Sequence, residues 1–572
     1  MKKTLSLTLA LLMILSLFAG CGGNSSGGSG GTSEGNSSAG DTPQDALVSD
    51  VGDSQASMSA ADKTAAAGQI ESVSYALNSP SFDLKPFSSP ASGRAQIFNL
   101  IWPRLVYLTS YGGTLEDAEM WLAKKVTRVD DVTCDVELYD YIYDNKGNHI
   151  TAEDVKWSYE MVATVGQSVE IGSLLESIDI LDDYNLRFTL SSPGTGKMET
   201  VLGFHRMAIC DKDWYENASE EELLSDCATA AAYYIKEFTA GSRVVLEAVD
   251  NYWQADESLR GISGTQNVKT IYCPVIAEAA VRAISLENHE IDFTDVDISA
   301  LGQFFDNGAA KEGYNVLPVG GTTALDLFLN MDEASGSPVA TNLKLRQAIL
   351  TAIDADSVRM AAGLNDSSSW LCYDFGTPLM AGHDKAWEEN YFNYDPAKAK
   401  ELLAEAGYPN GIDLRFMYTS YMNAGMVAVL TENLEAVGIH VEVLGFDQAL
   451  YNTYKYDSSV WDIEIDNKGG YSLIDHWNNL FSPGGYTNGG VNFFKDQALY
   501  DAVDKAMLTG AQEDYEAVHS YLVEAAIGRG LYAQATIYVS QDGILNMIMN
   551  HYMYPMINAW TYAEGFTSNY SA

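Results

Sequence analysis

The sequence predicts a mixed α/β protein that folds into more than one domain. Its 572 residues are 47% hydrophobic, which is enough apolar material for several cores. In the second half of the chain, two helix patterns are each followed by a strand pattern, and this alternation is typical of an open α/β sheet. In the first half, residues 124–143 alternate like a pair of strands instead.

Local patterns predict the elements of the first half. Residues 70–77 favour a strand, and residues 95–108 favour a helix that buries one apolar face. Thr151 and Asp154 resemble a capping box, in which an acidic side chain reaches back to the backbone of the residue before the helix. Residues 178–190 then predict a hairpin.

The second half contains clearer helix signals. Residues 343–353 predict an apolar helix. Asp395 and Pro396 predict the start of another helix, because Asp caps free N–H groups and Pro needs no hydrogen bond at the first helical position. Gly407 predicts the end of that helix, and a strand follows. A further helix pattern ends at Gly438 and leads into a second strand.

The first residues have the pattern of an export signal. Lys2 and Lys3 precede an apolar run over residues 5–18, which is too short to span a bilayer as a permanent helix. Small residues stand directly before Cys21, and this arrangement resembles the lipobox of bacterial lipoproteins. We therefore expect residues 1–20 to be a signal peptide and Cys21 to carry a lipid on the extracytoplasmic face of the cell membrane. The alternative is an ordinary signal peptide in which Cys21 is incidental.

Residues 21–68 predict a flexible tether between that lipid and a folded body. In residues 22–40, 14 of 19 are Gly or Ser, so the segment buries too little apolar surface to fold. No later apolar run is long enough for a membrane span. The net charge of −45 argues against nucleic acid and anionic lipid as partners, because both repel an acidic body.

The cysteines and histidines predict neither a disulfide framework nor a metal site. The five cysteines after Cys21 are widely spaced and include no C-x-x-C pair, and the eight histidines are scattered. A bridge between Cys210 and Cys227 stays open. We expect no cofactor and no metal.

Several segments together resemble the extracellular solute-binding proteins of ABC importers, in the peptide/nickel class known as family 5. The resemblance runs from about residue 71 to residue 545. Each segment is weak alone, but they stand in the family's order behind a lipobox. They are 148–159 (NHITAEDVKWSY), 250–253 (DNYW), 345–349 (LRQAI) with 352–354 (AID), 394–403 (YDPAKAKELL) with 406–409 (AGYP), and 432–434 (ENL) with 438–439 (GI).

The resemblance implies a two-lobe clamshell of the type II periplasmic-binding-protein class with an extra inserted domain. Lobe I would be discontinuous and comprise residues 69–107, 207–326 and 526–572. The inserted domain would comprise residues 108–206, and lobe III residues 327–525. A ligand would lie in the cleft, and the lobes would close around it by a hinge motion.

The resemblance places ligand contacts in two segments. The first is the loop with Ser88, Ser89 and Ser92, which in peptide binders of this class offers backbone groups to an extended ligand. The second, residues 466–477, corresponds to the family's Trp-rich loop, where an aspartate pairs with the α-ammonium of the peptide. From this loop and the residues shortly after it, we predict contacts by Asn467, Gly470, Tyr471, Asp475, Trp477 and Tyr486.

The chain departs from the family at the position of that aspartate. Gly470 aligns with it and Asp475 matches a second acidic residue, while a small shift of the alignment brings either Asp466 or Asp475 into the role. The aromatic side chains of the segment also suit stacking on sugar rings, so oligosaccharides stay an alternative ligand. Those aromatic side chains are equally well explained as part of a core.

The resemblance implies a lipid-anchored substrate-binding protein that captures oligopeptides and delivers them to an ABC permease in the same membrane. We expect a monomer that is not an enzyme, because no motif for an activated nucleophile or a metal hydrolase stands in a credible context. The G-x-S-x-G match at residues 31–35 lies in the tether. A surface sensory receptor is the alternative with the same architecture.

Overall fold

The computed structural model describes most of the chain after residue 56. The chain divides into Met1–Asp41 and Thr42–Ala572, and all described residues belong to the second unit. Among them, no helix is both long and apolar enough to cross a bilayer. The described residues are 57–58, 63–79, 83–87, 94–108, 114–164, 169–194, 196–204, 206–306, 309–320, 323–366, 368–380, 382–389, 391–469, 472–481, 493–550 and 554–571.

Residues 57–204 contain a four-stranded antiparallel sheet with helices packed on it. The sheet has the strand order β5-β6-β8-β7, and its β7–β8 pair confirms the predicted hairpin. The elements are β1 (Ser57–Met58), β2 (Ile70–Ser74), α1 (Arg94–Ile101), β3 (Val106–Tyr107), β4 (Glu119–Met120), β5 (Ala123–Arg128), β6 (Thr133–Leu138), α2 (Ala152–Val162), α3 (Val169–Leu174), β7 (Leu175–Asp182), β8 (Asn185–Leu190) and α4 (Lys197–Gly203).

The start of α2 and the end of α1 can be compared with the local predictions. At the start of α2, the Thr151 N–H donates to the Asp154 carboxylate at 2.8 Å, which confirms the capping box. Helix α1 is shorter than the predicted 95–108, since it ends at Ile101. Pro103 is the reason, because proline offers no N–H and drives the residue before it out of the helical conformation.

Residues 206–320 and 536–571 build two further sheets together with β1 and β2 from the start of the described chain. Their strand orders are β2-β11-β10-β9 and β1-β15-β22-β12, and a parallel bridge between Tyr75 and Phe293 joins them. The elements are α5 (Lys212–Asn217), α6 (Glu220–Ser225), β9 (Tyr233–Thr239), β10 (Arg243–Ala248), α7 (Gly261–Gly264), β11 (Val268–Pro274), α8 (Ala279–Glu287), β12 (Phe293–Val296), β13 (Phe305–Asp306), β14 (Ala309–Ala310) and β15 (Tyr314–Val319), with β22 (Thr536–Gln541), β23 (Ile544–Asn546) and β24 (Thr561–Tyr562) after the next region.

Residues 323–534 form an open α/β sheet of the predicted kind. Its strand order is β17-β21-β16-β20-β18-β19. The elements are β16 (Thr323–Leu329), α9 (Pro338–Thr341), α10 (Leu343–Thr351), α11 (Ala355–Ala361), β17 (Ser369–Leu371), α12 (Pro396–Glu405), β18 (Ile412–Thr419), α13 (Ala424–Glu435), β19 (Ile439–Phe446), α14 (Gln448–Tyr454), β20 (Ile463–Gly469), α15 (Leu473–Phe481), α16 (Gln497–Thr509), α17 (Gln512–Ala525) and β21 (Gly528–Gln534).

The predicted ends of the α/β units are confirmed in this sheet. Asp395 accepts a hydrogen bond from the Lys398 N–H at 2.9 Å and so caps α12. Gly407 and Gly438 follow α12 and α13 with φ of +97° and +95°, a conformation that glycine adopts without steric cost. Strands β18 and β19 pair in parallel along their whole length.

Two neighbouring strands pass from one sheet into the other. β15 ends at Val319 and β16 begins at Thr323, while β21 ends at Gln534 and β22 begins at Thr536. Because β15 pairs with β22 and β16 pairs with β21, both connections lie side by side. We call this place, between residues 319 and 323 and at Ala535, the strand crossing.

The position of the strand crossing along the chain differs slightly from the predicted domain borders. The sequence-based division assigned residues 526–572 to lobe I, but β21 pairs with β16 and β17 in the six-stranded sheet. It also assigned residues 323–326 to lobe I, although β16 begins at Thr323. At β21 and β22 the physical reason is that one strand pattern continues through Ala535, so the sequence does not show where the strand changes sheets. The three-part division as a whole stays a prediction.

The cysteines after Cys21 are all described, and all five are buried and free. The prediction left a Cys210–Cys227 bridge open, and the structure has none. Burial raises the pKa of the Cys227 thiol to about 12, so it behaves as a small apolar core residue. Among the described residues, no cluster of His, Cys, Asp and Glu is arranged to hold a metal ion.

Candidate functional site

The carboxyl ends of three parallel strands lie at one edge of the six-stranded sheet, and that of β20 lies beside the strand crossing. β18, β19 and β20 run in the same direction and end at Thr419, Phe446 and Gly469. Gly469 pairs with Thr323, the first residue of β16 after the crossing. Ligands of open α/β sheets bind outside the carboxyl ends of the strands. This edge is therefore the candidate site on the six-stranded sheet.

The other lobe brings a strand end to the same crossing. The last residue of β12, Val296, pairs with Ile537, two positions after Ala535. One residue earlier, Asp295 forms a 2.8 Å ion pair with Arg282. The Asn78 amide lies 3.4 Å from the same carboxylate and precedes the loop for which ligand-contacting serines are predicted. Polar groups of both lobes thus flank the crossing.

Only three of the predicted ligand residues lie on described backbone. Asn467 is exposed on β20 opposite Leu325, and Asp475 lies in α15, where its side chain is outside the described residues. Trp477 is also on α15. The other predictions fall outside the described residues, namely Ser88, Ser89, Ser92, Gly470, Tyr471 and Tyr486, as does the lipid-bearing Cys21.

Trp477 is a core residue in this structure. Its side chain is 0% exposed, and the indole N–H donates to the Phe375 carbonyl at 2.9 Å. Its ring centre lies 6.1 Å from those of Trp387 and Tyr515. These contacts favour the alternative in which this aromatic side chain belongs to the core of the six-stranded sheet.

A row of charged side chains lies on one face of β20. Glu464, Asp466 and Lys468 alternate along the strand and pair with Phe328, Asp326 and Ala324 of β16. Residues directly opposite in an antiparallel pair share a face, so all these side chains point to the same side. We call Glu464, Asp466 and Lys468 the charged row. Burial of three ionisable groups in one strand is costly unless they are paired.

Each member of the charged row has a partner. Lys468 Nζ lies 2.8 Å from Asp466 Oδ2. The Tyr451 hydroxyl, from α14, donates to Glu464 Oε1, while Glu464 Oε2 is buried without a partner. Burial first, and then the charge of Asp466, raises the pKa of the Glu464 carboxyl to about 7. A buried oxygen without a donor suits a protonated carboxyl group.

A second buried pair fastens α15 to the sheet. His476 Nε2 lies 3.2 Å from Asp326 Oδ2, and the two side chains are 1% and 0% exposed. Burial raises the pKa of Asp326 to about 6, and the hydrogen bond from His476 opposes that rise. A neighbouring pair, His383 with Asp374, has a 2.7 Å contact. The pair of His476 and Asp326 holds α15, and with it the end of the predicted ligand loop, in a defined position.

Sequence reasoning missed most of these groups for a physical reason. Residues 463–466 alternate apolar and charged side chains, and such a pattern predicts a strand with one face in solvent. Here α14 and α15 cover that face, which no local pattern reveals. Asp466 was considered as an anchor for a ligand ammonium, but its carboxylate is already engaged by Lys468.

The six-stranded sheet, the sheet that contains β15 and β22, and the strand crossing between them have the architecture of a two-lobe solute-binding protein. The chain belongs to the bacterial extracellular solute-binding proteins, family 5, because the model of the middle part of that family matches residues 117–488.

Relatives of known name and solved structures agree with this family. The oligopeptide-binding protein AppA of Bacillus subtilis is 24% identical over 351 residues, which cover 57% of this chain and 61% of AppA. The chain thus matches about three fifths of the length of that relative. The ABC transporter substrate binding protein CtaP of Listeria monocytogenes has a TM-score of 0.71 at 16% identity, over 87% of this chain and 99% of CtaP.

A solved structure of the Bacillus subtilis relative contains a ligand. AppA in complex with a nonapeptide has a TM-score of 0.67 at 18% sequence identity, and the match covers 87% of this chain and 100% of that chain. At these identities the comparison shows that the fold is shared.

Loss of the His476 side chain should destabilise the protein strongly. We expect His476→Ala to lower the free energy of unfolding by about 3 kcal/mol, because it leaves the Asp326 carboxylate buried and unpaired. The matched control is His440→Ala, which breaks an exposed pair with Glu435 and should leave stability nearly unchanged. Urea unfolding measures both, and equal effects of the two substitutions would contradict the assignment.

The buried Glu464 should make stability depend on pH. Between its ordinary value near 4.5 and about 7, the folded protein holds the proton that the unfolded chain releases, so stability falls as pH rises through this range. Glu464→Gln should remove this part of the dependence. The measurement is the thermal midpoint of both proteins at pH 5 and pH 7.5, and parallel shifts in the two proteins would show that Glu464 does not titrate there.

Proposed function

We propose that this protein is the substrate-binding protein of an ABC importer and captures oligopeptides in the cleft beside the strand crossing. The observation that carries the proposal is the family match over residues 117–488, together with strand ends from both lobes at one crossing. A cleft between two lobes that are joined by two strands can close by a hinge motion with little change inside either lobe.

Oligopeptides are the proposed ligand class for two reasons. The relative AppA of Bacillus subtilis is named an oligopeptide-binding protein, and its structure was solved with a nonapeptide. In addition, the charged row places ionic groups near the end of β20, and a peptide carries a charge at each terminus. Oligosaccharides were the alternative because of nearby aromatic side chains, and the buried Trp477 weakens that argument.

We further propose that Cys21 carries a lipid and that the protein hands its ligand to a permease in the same membrane. The support is the leader sequence, in which small residues precede Cys21 after an apolar run. The predicted tether of residues 21–68 ends sooner than expected, because Ser57 and Met58 pair with β15 and the Thr64 carbonyl accepts from the Glu564 N–H. A flexible segment of the length of residues 22–56 would have a typical reach of roughly 30–35 Å. That reach would let the folded body turn towards a membrane partner. A sensory receptor would use the same cleft without a permease.

Ligand that co-purifies with the protein should consist of peptides. We expect native mass spectrometry of a soluble form that begins after Cys21 to show bound masses that are lost on denaturation and identified as peptides by sequencing. After refolding without ligand, a peptide mixture at about 100 times Kd should stabilise the protein by about 2.7 kcal/mol. Retention of glycans alone would overturn the peptide proposal and leave the family assignment intact.

Removal of the Cys21 thiol should release the protein from the membrane. We expect the full-length chain to fractionate with membranes in its bacterial host and to carry a lipid mass on Cys21. Cys21→Ser should move it to the soluble fraction, since one acylated residue is its sole proposed anchor. Cys134→Ser, at a buried core position, is the control and should stay with the membranes. Equal partition of the two variants would contradict the lipid anchor.

A further inference from the structure

We propose that Lys468 binds a carboxylate of the captured solute, so that the site selects ligands with a free acidic end. This inference rests on the proposed function and assigns a specificity-determining residue to the same cleft. Its starting point is the location of Lys468 as the last member of the charged row, one residue before the end of β20.

Lys468 lies at the boundary between the covered face and the open strand end. Its side chain is 12% exposed, while the flanking residues Asn467 and Gly469 are exposed. The next residues of the chain are those for which ligand contacts are predicted. A ligand group at the carboxyl edge of β20 would therefore be within reach of the ammonium group.

The ammonium group has unused hydrogen-bonding capacity. Lysine offers three N–H donors, and among the described residues Asp466 is the one carboxylate within ion-pair distance of Nζ, at 2.8 Å. The Phe328 ring centre lies 5.9 Å away and adds a favourable contact for a cation. Two donors are thus available for a ligand oxygen.

The neighbouring carboxylates are already engaged. Asp466 pairs with Lys468, Asp326 accepts from His476, and Glu464 accepts from Tyr451. None of these three is a free anchor for a ligand ammonium. Among the described residues of this edge, Lys468 is the charged group that still has N–H donors for a ligand. It would bind a ligand anion, whereas the family resemblance implies an aspartate that binds a ligand cation.

The neighbouring carboxyl groups keep the Lys468 ammonium group protonated. Burial raises the pKa of Glu464 to about 7, so this carboxyl group stays largely neutral up to that pH. Burial alone lowers the pKa of Lys468, but Asp466 and Glu464 outweigh it and raise the pKa, which keeps the ammonium charged. Lys455, whose Nζ lies 5.7 Å from the Tyr451 ring centre, adds a second positive charge nearby. Asp326, directly opposite Asp466 on β16, faces the same group and is paired with His476.

The simplest competing explanation is that Lys468 only neutralises Asp466. In that case Lys468→Met would change stability but would not change which end of a ligand matters. The test must therefore compare ligands as well as variants.

The experiment uses the full mature chain and short synthetic peptides without Asp, Glu or Lys. Each peptide is made in three forms, with free termini, with a C-terminal amide, and with an acetylated N-terminus. The retained fraction of each form is measured by mass spectrometry after competition. We expect the wild type to prefer free acids over amides by about tenfold or more, because a hydrogen bond to a charged group is lost. N-terminal acetylation should have little effect.

Lys468→Met should abolish the preference for free acids, and Lys468→Arg should keep it. Because Lys468→Met leaves Asp466 unpaired, the double variant Lys468→Met/Asp466→Asn removes both charges together and should likewise bind acids and amides equally. Lys398→Met, which removes an exposed lysine paired with Glu401, is the matched control and should behave as the wild type. Thermal melts verify that each variant is folded.

Two results would overturn the inference and spare the proposed function. One is a wild type that retains acids and amides equally, and the other is a folded Lys468→Met variant that still prefers acids. Loss of binding on acetylation instead of amidation would assign the site to the ligand ammonium and also refute the proposal. A folded wild type that retains no peptide in any form would overturn the proposed function itself, and this inference with it.

Discussion

Two paired strands that run from one sheet into the other are the constraint on which the rest of the structure depends. β15 with β22 and β16 with β21 form continuous antiparallel pairs on either side of the crossing. Backbone hydrogen bonds hold each pair within its own sheet, so the two lobes are coupled through two short segments. A hinge motion of the lobes, as proposed above, would need to change dihedral angles in those segments alone.

Small side chains surround the crossing. Ala324, Ala533 and Cys372 form a compact buried cluster next to it, with the partly buried Trp370 packed against them. The Ala535 N–H donates to the Ser368 carbonyl at 2.8 Å, so the single residue between β21 and β22 is also tied to the loop before β17. The crossing is therefore closely packed on one side. This packing helps to fix the position of the end of β20 relative to the end of β12, and these two strand ends frame the site.

Buried charge is the second organising feature, and it lies where the ligand is proposed to bind. Replacement of such pairs by apolar side chains is often neutral or stabilising in proteins, so stability alone does not explain the charged row or the pair of His476 and Asp326. A defined position of α15 and of the end of β20 is a better explanation, because each pair restricts side chains from different elements to one geometry. Binding sites need such order before the ligand arrives.

Local sequence determined the helices and strands of this protein to a large extent. The capping box at Thr151, the N-cap at Asp395 and the stops at Gly407 and Gly438 act within a few residues, so the sequence alone predicts them. Helix α1 was predicted too long because its apolar pattern continues past Pro103, where the missing N–H ends the helix.

Tertiary structure alone decided the location of the site. The alternation in β20 looks like a solvent-facing strand, and only the packing of α14 and α15 turns Glu464 and Lys468 into a buried row. Likewise, Asp326 and His476 are 150 residues apart in the chain and meet because β16 lies beside β20. Helix and strand signals are local, whereas burial and charge pairing depend on which distant segments cover a face, and that information is not contained in any short stretch of sequence.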